Sequence, residues 1–283
     1  MSAAAGAWVV TGCSSGIGAA LATALIERGT PVIGIDRQPP LLPPAILASP
    51  RFRLVAMDLG RRESGAALAA ALLANMPVAV LVNNAAVFLG GPFEELDLDG
   101  VEALLAVNLL GAMRATQALL PVFRRQGRGH VINVSSDAGF TGLPFASPYV
   151  ASKFALTGWS ESLAAEVAGF GVRVSLLEIC GAYRSAMRGA AMADVAARLR
   201  RDSPYAPLLA ARFAKAGRGG GAQGDPREVA AALIDLAAQE SPPLYAEVGP
   251  KRGARAARRL LGDEAAAAML RQNVQGGGAG HGE

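Results

Sequence analysis

The chain has 283 residues, of which 52% are hydrophobic and 18% charged; this excludes a disordered polypeptide and is ample for one globular core. The net charge of +4 is carried mostly by arginine, and two cysteines, Cys13 and Cys180, exclude a disulfide framework or a cysteine-rich metal cluster. No apolar run approaches the ~20 residues that span a bilayer, and residues 1–11 lack a basic region ahead of an apolar one, so the expected compartment is the cytoplasm.

The first short apolar run, 7–11 (AWVVT), reads as a strand and feeds directly into TGCSSGIG at 11–18. Gly12, Gly16 and Gly18 stand where the strand gives way to a helical pattern at 17–28. Glycine lets the backbone turn sharply and approach a diphosphate, and the helix behind it presents free N–H groups to that anion. A bland tight turn would use the same glycines, but placement after the first strand favours a nucleotide site. The second strand, 31–36 (PVIGID), ends in Asp36, 18 residues beyond Gly18. A carboxylate there accepts hydrogen bonds from the adenosine ribose and repels a 2′-phosphate. Arg37 argues the opposite way, so the expectation is NAD, with NADP possible. Asp58 ends a third strand, 53–58, and is placed to meet the adenine edge.

A helix over 63–75 and a strand over 78–83 (VAVLVN) follow, then a long helical stretch over about 95–125. HVINVS (130–135) and VRVSLLE (172–178) are strands that flank a helix over 149–168. A last helix over 226–239 has Pro226 in its first turn and Asp225 as its cap, and LYAEV (244–248) is the seventh strand. The strands are almost continuously apolar, as strands buried on both faces are. Strand and helix in alternation predict an α/β fold with a mainly parallel sheet and helices on both faces. Residues 1–275 are expected to form one domain, with a loop at 217–224 (GRGGGAQG) and a flexible glycine-rich tail at 276–283. The basic cluster at 251–259 (KRGARAARR) is read as a solvated helix face, because no stacking aromatics or nucleic-acid motif accompany it.

One pair of side chains stands out in SPYVASKFALTG (147–158). Tyr149 and Lys153, four apart, share a helix face. A free tyrosine titrates near 10, too high for a base at neutrality, and a nearby ammonium lowers that value. Such a phenol exchanges a proton with a carbonyl oxygen or an alcohol.

TGCSSGIG at 11–18, MDL at 57–59, NNAA at 83–86, Asn108 in VNLLG, VINVSS at 131–136 and YVASK at 149–153 occur in this order. Together they resemble the short-chain dehydrogenase/reductase family over roughly residues 7–190. GLPF at 142–145 and YVASKFALTGWSESLA at 149–164 resemble its hydroxysteroid and retinol dehydrogenase branch. The resemblance implies a Rossmann-type, doubly wound, seven-stranded fold and hydride transfer between NAD(P) and an alcohol or ketone. It makes Tyr149 the acid/base, Lys153 its tuner and ribose ligand, Ser136 the substrate-oxygen ligand, and Asn108 the carrier of a water relay. Ser135 is the alternative serine, but the 13-residue spacing to Tyr149 favours Ser136. The cofactor would meet Gly12, Ser14, Ser15, Gly16, Ile17, Gly18, Asp36, Arg37, Asp58, Leu59, Asn84, Ala85, Ala86, Tyr149 and Lys153, with Asn83 supporting the fourth strand.

Two departures bear on the nicotinamide end. Ala86 replaces the family's usual glycine. Cys180-Gly181 replaces Pro-Gly, so that Gly181 and Ser185 take the positions against the carboxamide; Cys180 is read as a packing residue. Residues 182–224 fall at the family's substrate lid, where Tyr183, Met187, Met192, Tyr205, Leu208, Leu209 and Phe213 suit a bulky apolar alcohol, with Phe145 as the opposite wall. The resemblance also implies a homodimer or homotetramer. A nucleotide-sensing regulator on the same fold, without catalysis, is the competing reading.

Overall fold

The computed structural model describes residues 6–72, 77–181, 183, 195, 198–211 and 224–275. Its strands are β1 (Ala7–Thr11), β2 (Val32–Asp36), β3 (Phe52–Ala56), β4 (Val78–Asn83), β5 (Gly129–Ser136), β6 (Val172–Ile179) and β7 (Tyr245–Val248). They pair in the order β3-β2-β1-β4-β5-β6-β7, and every pairing is parallel. The helices are α1 (Gly16–Glu27), α2 (Pro44–Leu47), α3 (Ser64–Leu72), α4 (Leu98–Leu105), α5 (Ala112–Gln126), α6 (Ser147–Val167), α7 (Pro226–Ala238) and α8 (Ala254–Gln275).

The continuous apolar character of the strands has a direct cause. Alternate residues of one strand feed two separate cores. Val10, Val32, Val80 and Ile132 pack with Leu21 and Leu25 of α1 and Leu233 of α7. Val9, Ile33, Leu81 and Val131 pack with Leu68 of α3, Leu119 and Phe123 of α5, and Leu163 of α6. The strand order reverses between β1 and β4, so the loops leaving their carboxyl ends part there and leave a crevice.

The helix expected over about 95–125 is four segments. A single turn at Phe93–Glu95 precedes α4, and a π-helical segment, Ala106–Gly111, joins α4 to α5 without a break. The stretch Leu98–Gln126 is long and apolar enough to cross a membrane by length and composition alone. Its apolar side is used within the fold: Leu104, Ala115, Leu119 and Phe123 are buried. The cap of α7 is as expected, with Asp225 Oδ1 accepting from Arg227 N–H at 2.9 Å. The basic cluster is not simply solvated. Arg255 in the first turn of α8 forms an ion pair with the buried Glu178 of β6. Of the expected lid, residues 183, 195, 198–211 and 224 are described; Ser185, Met187, Met192, Phe213, the loop at 217–223 and the tail at 276–283 lie outside the described residues.

Candidate active site

The crevice at the β1/β4 switch point is one cleft. Gly12, Ser14, Ser15, Gly16, Ile17, Asp36, Arg37, Asp58 and Leu59 line it, together with Asn84, Ala85, Ala86, Tyr149 and Lys153. Two glycines are required by packing. A Cβ on Gly12, where φ is +68°, would lie 2.8 Å from Ala85 Cα. A Cβ on Gly18 would lie 2.0 Å from the Gly12 carbonyl oxygen. Gly18 therefore shapes the turn from beneath rather than lining the cleft. Ser15 makes no side-chain cap at the start of α1, so the first N–H groups of that helix remain available to an anion. The turn is fastened to β4 by Thr11, whose Oγ1 accepts from Asn84 N–H at 2.9 Å and Ala85 N–H at 3.0 Å. Asn84 returns the contact, donating from Nδ2 to the carbonyls of Thr11 and Gly12.

Asp36 sits at the lip of this turn. Its Oδ2 accepts from Ser14 N–H at 2.9 Å and its Oδ1 from Gln38 N–H at 3.1 Å. The carboxylate is thus fixed, whereas Arg37 beside it is exposed. Asp58 is held likewise, accepting from Gly60 N–H at 2.9 Å.

In the same cleft, α6 delivers Tyr149 and Lys153 from one face, as the i, i+4 spacing requires. Lys153 is buried, donates from Nζ to the Val134 carbonyl at 2.9 Å, and lies 5.8 Å from the Tyr149 ring centroid. Ser136, at the end of β5, lies beside the Tyr149 hydroxyl and favours its ionised form. Ser135, the alternative serine, lines the cleft where Ser136 does not; its Oγ is buried without a hydrogen-bond partner among the described residues, near Gly139. Ser136 Oγ also donates to Asp137 Oδ1 at 2.9 Å and accepts from Ala138 N–H at 3.2 Å.

Electrostatics differ from the sequence expectation. Burial, opposed by the Ser136 hydrogen bond and reinforced by Asp137, pushes the Tyr149 phenol up to about 12. Burial pushes the Lys153 ammonium down to about 8. Desolvation is the largest cause at both groups, so the phenol is raised rather than lowered.

Asn108 lies in the π-helical segment, a feature that re-aims a side chain within a helix. Its Oδ1 accepts from Val87 N–H at 2.7 Å, and its Nδ2 donates to the Val87 carbonyl at 2.9 Å and to Ser152 Oγ at 3.2 Å. Ser152 Oγ donates onward to the Tyr149 carbonyl at 2.7 Å. The Asn108 side chain is therefore committed to joining the β4 loop to the Tyr149 turn.

Gly181, with φ of +142°, faces Pro250, where a Cβ would meet Cδ at 2.9 Å; it is absent from the cleft lining. Cys180 is fully buried with its thiol pushed up to about 12 by burial, an inert packing group. Tyr183 belongs to the core with Val229 and Val248, not to a substrate wall. Phe145 and Tyr205 do meet, edge to face at 6.5 Å, and Phe88 packs on Tyr149 at 5.2 Å. Phe145 has φ of +64°, a costly conformation for a bulky residue, and its carbonyl accepts from Gly91 N–H at 2.9 Å. Residues 198–211 are tied down through Arg200, whose N–H and guanidinium both meet Glu95. Sequence reasoning missed Gln38, Met57, Val87, Val107, Val134 and Ile179 in the cleft. Val134 and Ile179 were findable, because ligands bind beyond the carboxyl ends of parallel strands.

A sequence profile described as short chain dehydrogenase matches residues 7–196. The chain is 34% identical over 238 residues to "Uncharacterized oxidoreductase YusZ" of Bacillus subtilis (strain 168), covering 82% of this chain and 84% of that one. It is 41% identical over 187 residues to 17-beta-hydroxysteroid dehydrogenase type 1 of Homo sapiens, covering 63% of this chain and 57% of that enzyme. Among solved structures, a short-chain dehydrogenase from Streptomyces avermitilis superposes with a TM-score of 0.73 at 32% identity, covering 99% of this chain and 100% of that one. A metagenomic short-chain oxidoreductase in complex with NADP gives a TM-score of 0.68 at 30% identity, covering 89% and 100% respectively.

Proposed function

The chain belongs to the short-chain dehydrogenase family of oxidoreductases, and from this premise we propose that it interconverts an apolar secondary alcohol and its ketone, using NAD(P) as cofactor and Tyr149 as acid/base. The observation that carries the reading is that Tyr149 and Lys153 line the same cleft as a glycine turn, with Ser136 beside the Tyr149 hydroxyl at its edge. The residues fit a dinucleotide on the structure's own terms. Gly12 and Gly18 leave no room for a Cβ, and α1 presents an uncapped N-terminus. When bound, the nicotinamide supplies the hydride acceptor or donor. Gly12, Ser14, Ser15, Gly16 and Ile17 hold the diphosphate; Asp36 and Arg37 meet the adenosine ribose; Asp58 and Leu59 meet the adenine. Asn84, Ala85 and Ala86 form the floor under the nicotinamide end.

Ser136 holds the substrate oxygen against the Tyr149 hydroxyl. With its phenol raised to about 12, Tyr149 is protonated at neutral pH, the form that donates to a carbonyl oxygen. Lys153 fixes the adjoining ribose and the charge beside the phenol. Asn108 positions the Tyr149 turn through Ser152 and is the anchor of a water path to Lys153.

The substrate side is aromatic. Phe88 packs on Tyr149, and Phe145, four residues before Tyr149, meets Tyr205; rings so placed favour a flat or long apolar molecule. Likeness to a 17-beta-hydroxysteroid dehydrogenase supports a ring-bearing alcohol. The test is a panel measured with both cofactors. kcat/KM should be higher on ring-bearing or long-chain secondary alcohols, or their ketones, than on sugars or short hydroxy acids. Better activity on the polar classes overturns the substrate reading.

We read the cofactor as NAD rather than NADP, because Asp36 is fixed by two backbone N–H groups where a 2′-phosphate would lie. Asp36→Ala should move relative kcat/KM toward NADP. A wild-type enzyme preferring NADP by about tenfold or more, roughly 1.4 kcal/mol, would mean that Arg37 governs the choice.

A further inference from the structure

We propose that Arg255, which lies beyond the region matched by the family profile, is a positioning residue that holds the Ser136 turn in its working geometry from the first turn of α8. The guanidinium forms a bidentate pair with Glu178: Nε donates to Oε2 at 2.7 Å, and Nη2 meets Oε1. Glu178 is fully buried, and the Arg255 side chain is 13% exposed. Glu178 precedes Ile179 of the cleft and sits in register with Ser135 on one side and Glu247 on the other. The same guanidinium lies over the Phe140 ring at 5.1 Å and the Tyr245 ring at 4.0 Å. Phe140 ends the turn that opens at Ser136; its N–H and that of Thr141 both donate to the Asp137 carbonyl. Glu247 in turn accepts from Gly253 N–H and, at 3.1 Å, from Arg255 N–H, seating the start of α8. One cation thus joins β6, β7, α8 and the serine turn. An Arg fork and stacking plane do this as a lysine cannot.

The inference rests on the proposed role of Ser136 for its kinetic part only. Arg255→Lys keeps the charge and loses the fork and the stacking. Its kcat per cofactor-binding site should fall about tenfold or more, with cofactor Kd changed less than about twofold, because the glycine turn joins β1 to α1, outside the elements that Arg255 joins. In a Ser136→Ala background the same change should cost less than about twofold, since a group that acts through Ser136 has nothing left to position. Unchanged kcat per site, or an equal loss in both backgrounds, overturns the proposal. A Ser136→Ala enzyme with full turnover would instead overturn the reading of the site. Hydrogen exchange decides the matter independently of turnover. Amides 138–141 should exchange at least tenfold faster in Arg255→Lys, while those of 12–18 do not change. Unaltered exchange at 138–141 overturns the proposal even if kcat falls.

Discussion

Tyr149→Phe is expected to lower turnover by at least ~100-fold while leaving the cofactor bound. The change deletes one hydroxyl and keeps the ring that packs on Phe88 at 5.2 Å, so the fold and cleft have no reason to move. Loss of a general acid/base costs at least ~100-fold in kcat. The pH dependence follows from the raised phenol. Alcohol oxidation needs the deprotonated form, whose fraction grows as pH rises toward about 12, so wild-type oxidation should climb with pH through the neutral and alkaline range. Ketone reduction uses the protonated form, already dominant at neutrality, and should be level there. Residual activity of the variant should show neither dependence. Steady-state rates in both directions between pH 6 and 10, with cofactor binding followed by fluorescence, check this. Turnover near wild type would sink the assignment of Tyr149.

Lys153→Met should carry the second largest loss, and it should strike cofactor affinity and turnover together. A charge-assisted hydrogen bond is worth about 1.5–3 kcal/mol, so Kd for the cofactor should rise by roughly 10- to 100-fold. Remaining oxidation should be favoured at higher pH, because the variant lacks the ammonium that helps hold a phenolate. Stability should move the other way. The buried ammonium is pushed down to about 8 from an ordinary 10.5, so its burial in the charged form costs the fold up to about 3 kcal/mol below pH 8. That cost recedes as pH rises from about 8 to 10.5, the window in which the unfolded chain binds the extra proton. Methionine avoids it, so the variant should melt no lower than wild type at pH 7. An unchanged pH profile at measurable activity would separate Lys153 from the tuning role.

The parallel sheet was legible because parallel strands declare themselves by unbroken apolar runs, and all seven stand where VIGID, VAVLVN and their counterparts place them. The cleft was legible because glycines, a strand-end Asp and an i, i+4 Tyr-Lys pair are local signals. What escaped notice depends on contacts distant in sequence. The π-helical offset that turns Asn108 onto Val87 leaves no mark in a pattern that reads as ordinary helix. Gly181 was assigned to the cofactor by position in a motif, whereas Pro250, about 70 residues on, is what requires it. Tyr183 looked like a substrate wall and is core, because Gly224 pairs beside it and leaves its ring the space a side chain would fill. Charge patterning likewise misread Arg255, since Glu178 reaches it only through the packing of α8 on the sheet. The balance of desolvation against attraction at Tyr149 depends on burial, which spacing alone does not convey.

The left-handed backbone at Phe145 bears on how this enzyme can be re-engineered. Glycine and asparagine are the replacements that relax such a backbone, and both remove the ring that meets Tyr205. Any other bulky residue retains a wall and inherits the strain. A variant library selected for thermal tolerance will therefore drift toward loss of the ring at this position, whereas one that must keep the Phe145–Tyr205 contact will retain the backbone strain. Screens that alternate the two pressures should diverge at residue 145 before they diverge at residue 88, because Phe88 carries no comparable backbone cost.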